Sequence, residues 1–365
     1  MRNILFICNE SKTVINFRQE LILFLQEKNY KVSVIVSDND YVAQIKRLGV
    51  SCFVFKHKNH SKNIFAILKL KRFYKKIIKN NHFDLVFTFQ IKPNIFGSLA
   101  ARKFKIPVVC MVEGLGNPFQ PHSFKEKILE LLVVKLYKKA FRKVKLVFFL
   151  NDSDLNDFLR KRIISKDRAF VIDGIGIDTK KFPFTDIPSA NCTVIYLARL
   201  LKNKGIFEFC ECAKKVRQVR PDISFKLYGS EAELNQKDIQ KYIDFGTIDY
   251  YGYVENPKEV ICSSNIMIST SYREGFPRII LEAMALGRPV IAFDSVGNKD
   301  IIRNSDIGIL IENKSVSKMS EAVIELADNV ALQKLLAKNA RKYCEQFYDS
   351  SIINDIIERK IRSFL

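Results

Sequence analysis

The sequence predicts an α/β protein made of two Rossmann-like domains in tandem. Short apolar segments alternate with helical patterns from one end of the chain to the other. The apolar segments are nearly continuous, as expected for parallel strands covered on both faces. A segment rich in Gly, Pro and Asp divides the pattern into two halves. A chain of 365 residues is long enough for two domains of ordinary size.

Each half contains six expected strands, separated by helices. In the first half the strands are expected at 4–8, 32–36, 52–55, 85–89, 108–112 and 146–150, and the helices at 15–28, 62–80 and 124–145. In the second half the strands are expected at 193–197, 224–228, 250–253, 266–269, 290–293 and 308–311. The helices there are expected at 205–220, 257–263, 277–287, 316–327 and 331–346.

The domain boundaries follow from this pattern. An N-terminal domain is expected over 1–172, a linker over 173–191 and a C-terminal domain over 192–345. Residues 346–365 form an expected C-terminal helix, a candidate for packing back on the N-terminal domain. Two such domains would face each other across a cleft.

Composition narrows the class of protein. No apolar run approaches the roughly 18–20 residues that span a bilayer, and the apolar N-terminus is too short for a signal-peptide core. These features predict a cytoplasmic protein. The eight cysteines are scattered, without the paired spacing of a zinc site, which favours free buried thiols.

Positive charge is concentrated in one half of the chain. Residues 1–150 contain 28 Lys and Arg against 9 Asp and Glu, whereas the remaining 215 contain 32 against 30. The basic half is therefore expected to face an anionic partner: nucleic acid, anionic lipid or a phosphorylated substrate.

Two loops of the second half carry the most informative motifs, because ligands of such sheets bind outside the carboxyl ends of the strands. Arg199 follows an expected strand, and Lys204 comes just before a helix. A guanidinium, an ammonium and the free N–H groups of a helix start suit a diphosphate, although a solvated basic loop would look the same.

The second loop follows the strand at 266–269. Glu274 is at the strand tip, Gly275 allows a tight turn, Pro277 suits a first helical position, and Glu282 lies inside the helix. The two carboxylates could bind sugar and ribose hydroxyls, and the helix start could meet phosphate. Alternatively, Glu282 is a surface residue and Glu274 a cap.

The spacing of Glu274 and Glu282 within Glu-Gly-Phe-Pro…Glu-Ala resembles the signature of the large family of retaining glycosyltransferases with the two-domain GT-B fold (glycosyltransferase family 4). The segment from Arg199 to Lys204-Gly205 resembles that family's diphosphate-binding pair, and 174–182 resembles its interdomain segment. The resemblance implies a UDP-sugar substrate, retention at the anomeric carbon, and neither cofactor nor metal.

The resemblance also implies roles for individual residues. Glu274 would position the transferred sugar, Arg199 and Lys204 would stabilise the diphosphate, and Glu282 would bind ribose. The expected catalytic residues are Glu274, Arg199, Lys204 and Glu113. The expected donor-binding residues are Arg199, Lys204, Gly229, Val254, Glu274, Gly275, Phe276, Pro277 and Glu282.

The N-terminal half has its own motifs. The segments 90–97 and 112–116 resemble bacterial transferases that add N-acetylhexosamine, such as GalNAc, to undecaprenyl-diphosphate-linked sugars. The expected acceptor-side residues are Ser11, Lys12, Lys92 and Asn94. The chain departs from many relatives by lacking glycine in its first loop and by having Glu113 in place of a histidine. It also has a single glycine, Gly297, where two are common.

Alternative functions are less well supported. The two Asp-x-Asp sequences, at 38–40 and 152–154, look like a turn and a helix cap rather than metal sites. None of the four histidines (57, 60, 82 and 122) looks catalytic. A GT-B UDP-sugar 2-epimerase has no use for a basic acceptor face, and no known nucleic-acid-binding module is recognisable. The expected partners are thus a UDP-sugar, a lipid-linked saccharide and the anionic inner face of the cytoplasmic membrane, with peripheral association.

Overall fold

The computed structural model describes residues 1–55, 64–116, 119, 123–189 and 191–365. His57, His60, His122 and the first two residues of the helix predicted over 62–80 lie outside these residues. The chain forms two compact units. Unit 1 contains Met1–Ile175 and Ser350–Leu365, and unit 2 contains Gly176–Asp349.

Unit 1 is a parallel sheet of seven strands in the order β3-β2-β1-β4-β5-β6-β7. The strands are β1 Arg2–Ile7, β2 Tyr30–Val36, β3 Ser51–Val54, β4 Leu85–Phe89, β5 Val108–Val112, β6 Leu146–Phe149 and β7 Ala169–Val171. The helices are α1 Ser11–Glu27, α2 Val42–Arg47, α3 Ile64–Asn80, α4 Ser98–Ala101, α5 Phe124–Phe141, α6 Asp152–Arg160 and, at the C-terminus, α14 Ser350–Arg362.

The strand order reverses between β1 and β4, so right-handed crossovers place the helices on both faces. Helix α1 contacts α2 and α14 on one face, whereas α4 contacts α3 and α5 on the other. Helix α14 is anchored to strand β2 by the buried Glu358, which accepts a hydrogen bond of 2.7 Å from the Tyr30 hydroxyl. The Arg362 guanidinium, and then the Tyr30 hydroxyl, hold the pKa of Glu358 below its usual range.

Unit 2 is a parallel sheet of six strands in the order β10-β9-β8-β11-β12-β13. Its strands are β8 Thr193–Leu197, β9 Ser224–Tyr228, β10 Asp249–Tyr250, β11 Ile266–Ser269, β12 Val290–Phe293 and β13 Ile309–Ile311. Its helices are α7 Ile206–Val219, α8 Gln236–Asp244, α9 Pro257–Cys262, α10 Arg278–Ala285, α11 Asn298–Ile301, α12 Val316–Asp328 and α13 Val330–Tyr343.

Two arginines attach the segment 176–189, most of the expected linker, to unit 2. Arg288 is fully buried and donates to the carbonyl oxygens of Thr185 at 2.8 Å and Asp186 at 3.1 Å. Arg341 donates to the carbonyl oxygen of Phe182. Because each guanidinium satisfies several carbonyls at once, these residues are held as part of unit 2 rather than as a free connector.

The predicted fold class is confirmed, and some of the predicted helices and strands begin or end at a different residue in the structure. Pro277 precedes α10 with extended backbone, so the helix begins one residue later, at Arg278. The residue that caps α6 is Asn151, whose side chain accepts from the backbone N–H of Asp154. All eight cysteines are free, five buried and three half-buried. Within the described part of the chain, no helix has the length and apolar character needed to cross a bilayer.

Candidate active site

The two donor-side motifs of unit 2 lie on adjacent loops at the carboxyl edge of its sheet. Arg199 and Lys204 follow β8, and Glu274 follows β11. These strands are hydrogen-bonded neighbours at the point where the strand order reverses. Such a switch point opens a crevice at the carboxyl edge, which is where ligands of doubly wound sheets bind.

Lys204 is held by a short 3-10 turn, Lys202–Lys204, before α7. Its backbone carbonyl accepts hydrogen bonds from the Tyr196 hydroxyl at 2.6 Å and from Thr270 Oγ1 at 3.1 Å. Burial raises the pKa of Tyr196 far above its usual range, so the hydroxyl remains a donor. Gly205, at φ +64°, packs so closely on Thr270 that an added Cβ would overlap the Thr270 carbonyl oxygen.

The side chain of Lys204 forms an ion pair with the Glu274 carboxylate. The same Glu274 oxygen accepts a hydrogen bond of 2.9 Å from the buried Ser271 hydroxyl. Both charged side chains remain partly accessible, at 17% and 21%. The structure therefore brings together two residues that the sequence predicts for the same site from separate motifs.

The loop after β12 contacts the backbone of the loop that carries Glu274 and holds it in place. The Glu274 N–H donates to the Val296 carbonyl at 2.9 Å, and Ser295 Oγ donates to the Ser271 carbonyl at 2.7 Å. A Cβ on Gly297, at φ +93°, would lie 2.7 Å from the Glu274 Cβ. These contacts were not predicted from the sequence. The only indication of them in the sequence was Gly297, the glycine of the segment 296–300.

Glu282 lies in α10 on the same edge, where Arg278 Nε donates to its carboxylate at 3.1 Å. Both side chains are mostly buried, with 16% and 13% exposure. Phe276 is half-buried against Tyr348, with ring centroids 5.7 Å apart. Gly275 and Pro277 complete the turn into α10. Glu282 is therefore not a fully solvated surface residue.

Arg199 differs from the other predicted donor-binding residues because its side chain is exposed. Among the described residues its guanidinium has neither a hydrogen bond nor an ion pair. Gly229 comes directly after β9 and lies so close to the end of β8 that an added Cβ would overlap the Ala198 carbonyl oxygen. Val254 is half-buried in the core of unit 2. Arg199 is thus available to a ligand, while Gly229 allows the two strand tips to approach.

In unit 1, Glu113 follows β5 and forms an ion pair with Arg18 of α1. Arg18 is 2% exposed and Glu113 is 21% exposed. The Arg18 guanidinium also lies 4.3 Å from the centroid of the Phe89 ring and donates to the Phe17 carbonyl at 2.7 Å. Arg18 was not predicted from the sequence, because its contacts come from elements far apart in the chain.

The four predicted acceptor-side residues divide into two kinds. Ser11 is buried and donates to the Asp38 carboxylate, and Asn94 is buried and donates to the Met111 carbonyl at 2.8 Å. These side chains hold their loops in place. Lys12 and Lys92 are half-buried, and burial lowers the pKa of the Lys92 amine.

The two Asp-x-Asp sequences have structural partners. Asp38 binds the hydroxyl and the N–H of Ser11, and Asp154 accepts a hydrogen bond of 3.2 Å from Asn151. In the part of the chain that the structure describes, no three His, Cys, Asp or Glu side chains lie together as metal ligands would.

Comparison with known proteins defines the family. The model of the "Glycosyl transferases group 1" family matches residues 178–343, and that of the "Glycosyl transferase 4-like" family matches residues 3–151. The chain is 29% identical to the N,N'-diacetylbacillosaminyl-diphospho-undecaprenol alpha-1,3-N-acetylgalactosaminyltransferase of Campylobacter jejuni, covering 95% of each protein. It is 25% identical to the UDP-Gal:alpha-D-GlcNAc-diphosphoundecaprenol alpha-1,3-galactosyltransferase of Escherichia coli, covering 73% of this chain and 72% of that protein.

Solved structures show the same fold. The structure of Anabaena HepE in complex with UDP and glucose superimposes with a TM-score of 0.81 at 18% identity, over the full length of both chains. The sucrose-phosphate synthase of Thermosynechococcus elongatus gives a TM-score of 0.82 at 17% identity, over 100% of this chain and 99% of that chain.

Two parallel α/β units with these motifs at their carboxyl edges define a glycosyltransferase of the GT-B fold. The chain belongs to the group 1 (GT4) family of retaining glycosyltransferases, which use nucleotide sugars.

Proposed function

We propose that this protein transfers an N-acetylhexosamine, specifically GalNAc, from a UDP-sugar to a saccharide carried on undecaprenyl diphosphate, in the assembly of a surface polysaccharide or glycan. The observation that carries the proposal is the Lys204–Glu274 pair at the switch point of unit 2. This pair supports the proposal because a diphosphate needs a cation and a sugar hydroxyl needs an acceptor, and Arg199 and Glu282 lie on the same edge.

The acceptor class has broader support than the donor sugar. The Campylobacter and Escherichia relatives are both named for an acceptor linked to a diphosphate and undecaprenol, whereas one is named for GalNAc transfer and the other for galactose transfer. The first relative has the higher identity and coverage, and for this reason we favour GalNAc.

Retaining transfer of this kind needs stabilisation of the leaving diphosphate more than it needs a strong base. When the donor binds, the Lys204 ammonium would turn from Glu274 to the diphosphate. Arg199 is exposed and able to close on the same phosphates. Glu274, still held by Ser271, would then accept hydrogen bonds from hydroxyls of the sugar. On the acceptor side, Glu113, held by its ion pair with Arg18, would orient an acceptor hydroxyl.

The experiment that tests this function is a donor panel. The full-length protein is incubated with UDP-GalNAc, UDP-GlcNAc, UDP-galactose or UDP-glucose and a short-chain polyprenyl-diphosphate saccharide, and the lipid-linked products are identified by mass spectrometry. Transfer of GalNAc in preference to the other sugars is the expected result. Epimerisation of a UDP-sugar without any acceptor product would instead indicate the 2-epimerase.

We expect that the reaction proceeds without a divalent cation. We expect this because Lys204 and Arg199 provide the positive charge that a metal would otherwise bring to the diphosphate. The measurement is the transfer rate after incubation with EDTA, compared with rates after adding back magnesium or manganese. Loss of activity in EDTA, followed by recovery with either ion, would contradict the prediction.

Replacing Glu282 by alanine is expected to raise the KM for the UDP-sugar while changing kcat little. A ribose hydroxyl is held alike in the ground state and the transition state, so the lost contact weakens binding uniformly. Steady-state kinetics of Glu282→Ala, with Glu282→Gln as the variant that still accepts a hydrogen bond, would show this. An unchanged KM together with a large fall in kcat would place Glu282 at the reacting centre instead.

The basic half of the chain supports docking on the anionic inner face of the cytoplasmic membrane. Helix α3 contains no acidic residue and exposes Lys69, Arg72, Lys76 and Lys79. Each basic side chain close to an anionic membrane surface contributes about 1 kcal/mol to binding. Such docking would bring unit 1 to the level of a lipid-linked acceptor without a membrane-spanning segment.

A further inference from the structure

Helix α5 is apolar on two opposite sides. Val133, Tyr137, Ala140 and Phe141 point into the core of unit 1 and are buried. On the other side, four large apolar side chains are in contact with solvent. They are Phe124, Ile128, Leu131 and Leu132, with exposures of 78%, 46%, 66% and 55%. Packing in the core therefore explains only half of the apolar residues of this helix.

The exposed residues lie on one stripe, because residues spaced by three, four and seven positions share a face of an α-helix. Further along, the same stripe continues with Lys135, Lys138, Lys139 and Arg142, all exposed. The stripe thus changes from an apolar half to a cationic half, with centres about 15 Å apart along the helix at a rise of about 1.5 Å per residue. We call the four apolar residues the apolar ridge.

The two acidic residues of α5 do not neutralise the cationic half. Glu126 accepts from the Ser123 N–H at 2.9 Å as part of a capping box, and Glu130 pairs with Lys161 at 2.6 Å. Nearby elements add further positive charge. Burial, and then the neighbouring charges of Lys75, Lys139 and Arg102, lower the pKa of the Lys71 amine.

The position of the ridge in the fold is also informative. Helix α5 leaves the carboxyl edge of the sheet after β5 and returns to the amino edge before β6. The ridge therefore lies toward the edge that carries Glu113, and the cations lie toward the opposite edge. A solvent-exposed apolar patch is unfavourable unless something covers it.

We propose that α5 lies in the interface of an anionic bilayer, with the apolar ridge inserted at the boundary between headgroups and acyl chains and the cationic half bound to the lipid phosphates. An apolar side next to a cationic side is the pattern of helices that lie in a membrane surface. A nucleic acid would satisfy the cations but leave the ridge exposed to water. The inference rests on the proposed docking and specifies the helix and the depth of contact.

The absence of tryptophan from the sequence makes a direct test possible. Leu131→Trp places the only indole on the ridge. Leu23→Trp is the matched control, because Leu23 is 36% exposed on α1, on the other face of the same sheet. Each variant is mixed with vesicles of anionic lipid, of zwitterionic lipid, or of anionic lipid with brominated acyl chains, at low and high salt.

With anionic vesicles, the emission of Leu131→Trp is expected to move to shorter wavelength and to be quenched by the brominated chains, and that of Leu23→Trp to stay unchanged. The triple variant Ile128→Ser, Leu131→Ser, Leu132→Ser should bind anionic vesicles at least about tenfold more weakly, because binding then removes less apolar surface from water. The variant in which Lys75, Lys76, Lys138 and Lys139 are all replaced by glutamate should lose the preference for anionic over zwitterionic vesicles.

Three outcomes would overturn the proposal. Vesicle binding that vanishes at high salt without any quenching of Leu131→Trp would mean contact through charge alone. A blue shift without vesicles, with a rise in mass by sedimentation, would mean that a second copy covers the ridge. If the emission of neither tryptophan variant shifts or is quenched, and neither variant binds vesicles, the surface does not dock on a membrane. Transfer to a short-chain acceptor without vesicles, measured in parallel, reports the proposed function separately.

Discussion

Replacing Lys204 or Arg199 by alanine will lower kcat/KM by at least about a hundredfold, because a charged contact to a developing anion is worth about 2.7–4 kcal/mol in comparable sites. Lys204 lies in a fixed turn, where its backbone is bound by Tyr196 and Thr270. Arg199 is exposed and without an ion-pair partner among the described residues, so its effect should come from the ligand contact rather than from lost packing.

The matched control is Lys202→Ala, since Lys202 lies in the same turn and its side chain is exposed. Its kinetics should be close to those of the unchanged protein, and all three variants should unfold at similar temperatures. If Arg199→Ala and Lys204→Ala retain nearly normal kcat/KM, the diphosphate does not bind between β8 and α7, and the assignment of the pocket is wrong.

Replacing Arg18 by methionine will cost about 3–5 kcal/mol of the free energy of unfolding, the usual cost of removing one partner of a buried ion pair. Arg18 is 2% exposed and bound to Glu113, to the Phe17 carbonyl and to the Phe89 ring. Methionine can fill part of the volume but leaves the Glu113 carboxylate without its cation. Urea unfolding, with the slope m checked against the unchanged protein, measures the effect.

The double variant with Arg18→Met and Glu113→Gln should recover part of this loss, because a neutral amide costs less to leave unpaired than a carboxylate. The single variant Glu113→Gln should also lose stability, because it leaves the buried Arg18 guanidinium without a carboxylate. It should lower transfer while UDP binding is unchanged, since Glu113 belongs to unit 1. If Arg18→Met is as stable as the unchanged protein, the pair does not hold Glu113 in place.

The strands were the most predictable elements. Leu85–Phe89, Val108–Val112, Thr193–Leu197, Ser224–Tyr228, Ile266–Ser269 and Val290–Phe293 have the predicted bounds, because buried parallel strands are continuous apolar runs. Among the elements that were not predicted, two have a clear physical reason. Strand β7 has only three residues, all half-buried. Helix α8 has only nine residues and is mostly polar, with Ile239 and Tyr242 buried, so the sequence offers few apolar positions from which to recognise it.

Helix α5 shows a different limit of sequence reasoning. Its apolar positions predict a helix, but periodicity does not reveal which of two apolar faces turns toward the core. In this helix the face with Val133 and Tyr137 is buried, and the face with Leu131 is exposed. That choice depends on the neighbouring elements, and only the three-dimensional structure shows it.

The candidate site was predictable where one motif carries several residues, as with Glu274 and Glu282. It was not predictable where the contact joins distant parts of the chain. Ser271 and Gly297 support Glu274 from two different loops, and Arg18 reaches Glu113 across 95 positions of sequence. Nothing in the local pattern around Arg18 distinguishes it from other basic residues of α1.

We propose that the edge of unit 2 around Lys204 and Glu274 supports retaining transfer of a sugar from UDP to a lipid-linked acceptor. The most direct test is the anomeric configuration of the purified product, determined by NMR from the coupling of its new anomeric proton, with UDP-α-GalNAc as donor. The expected product carries one added GalNAc in α linkage and is formed by the unchanged protein but not by Glu274→Ala. A β-linked product, or an α-linked product formed equally well by Glu274→Ala, would contradict the proposal.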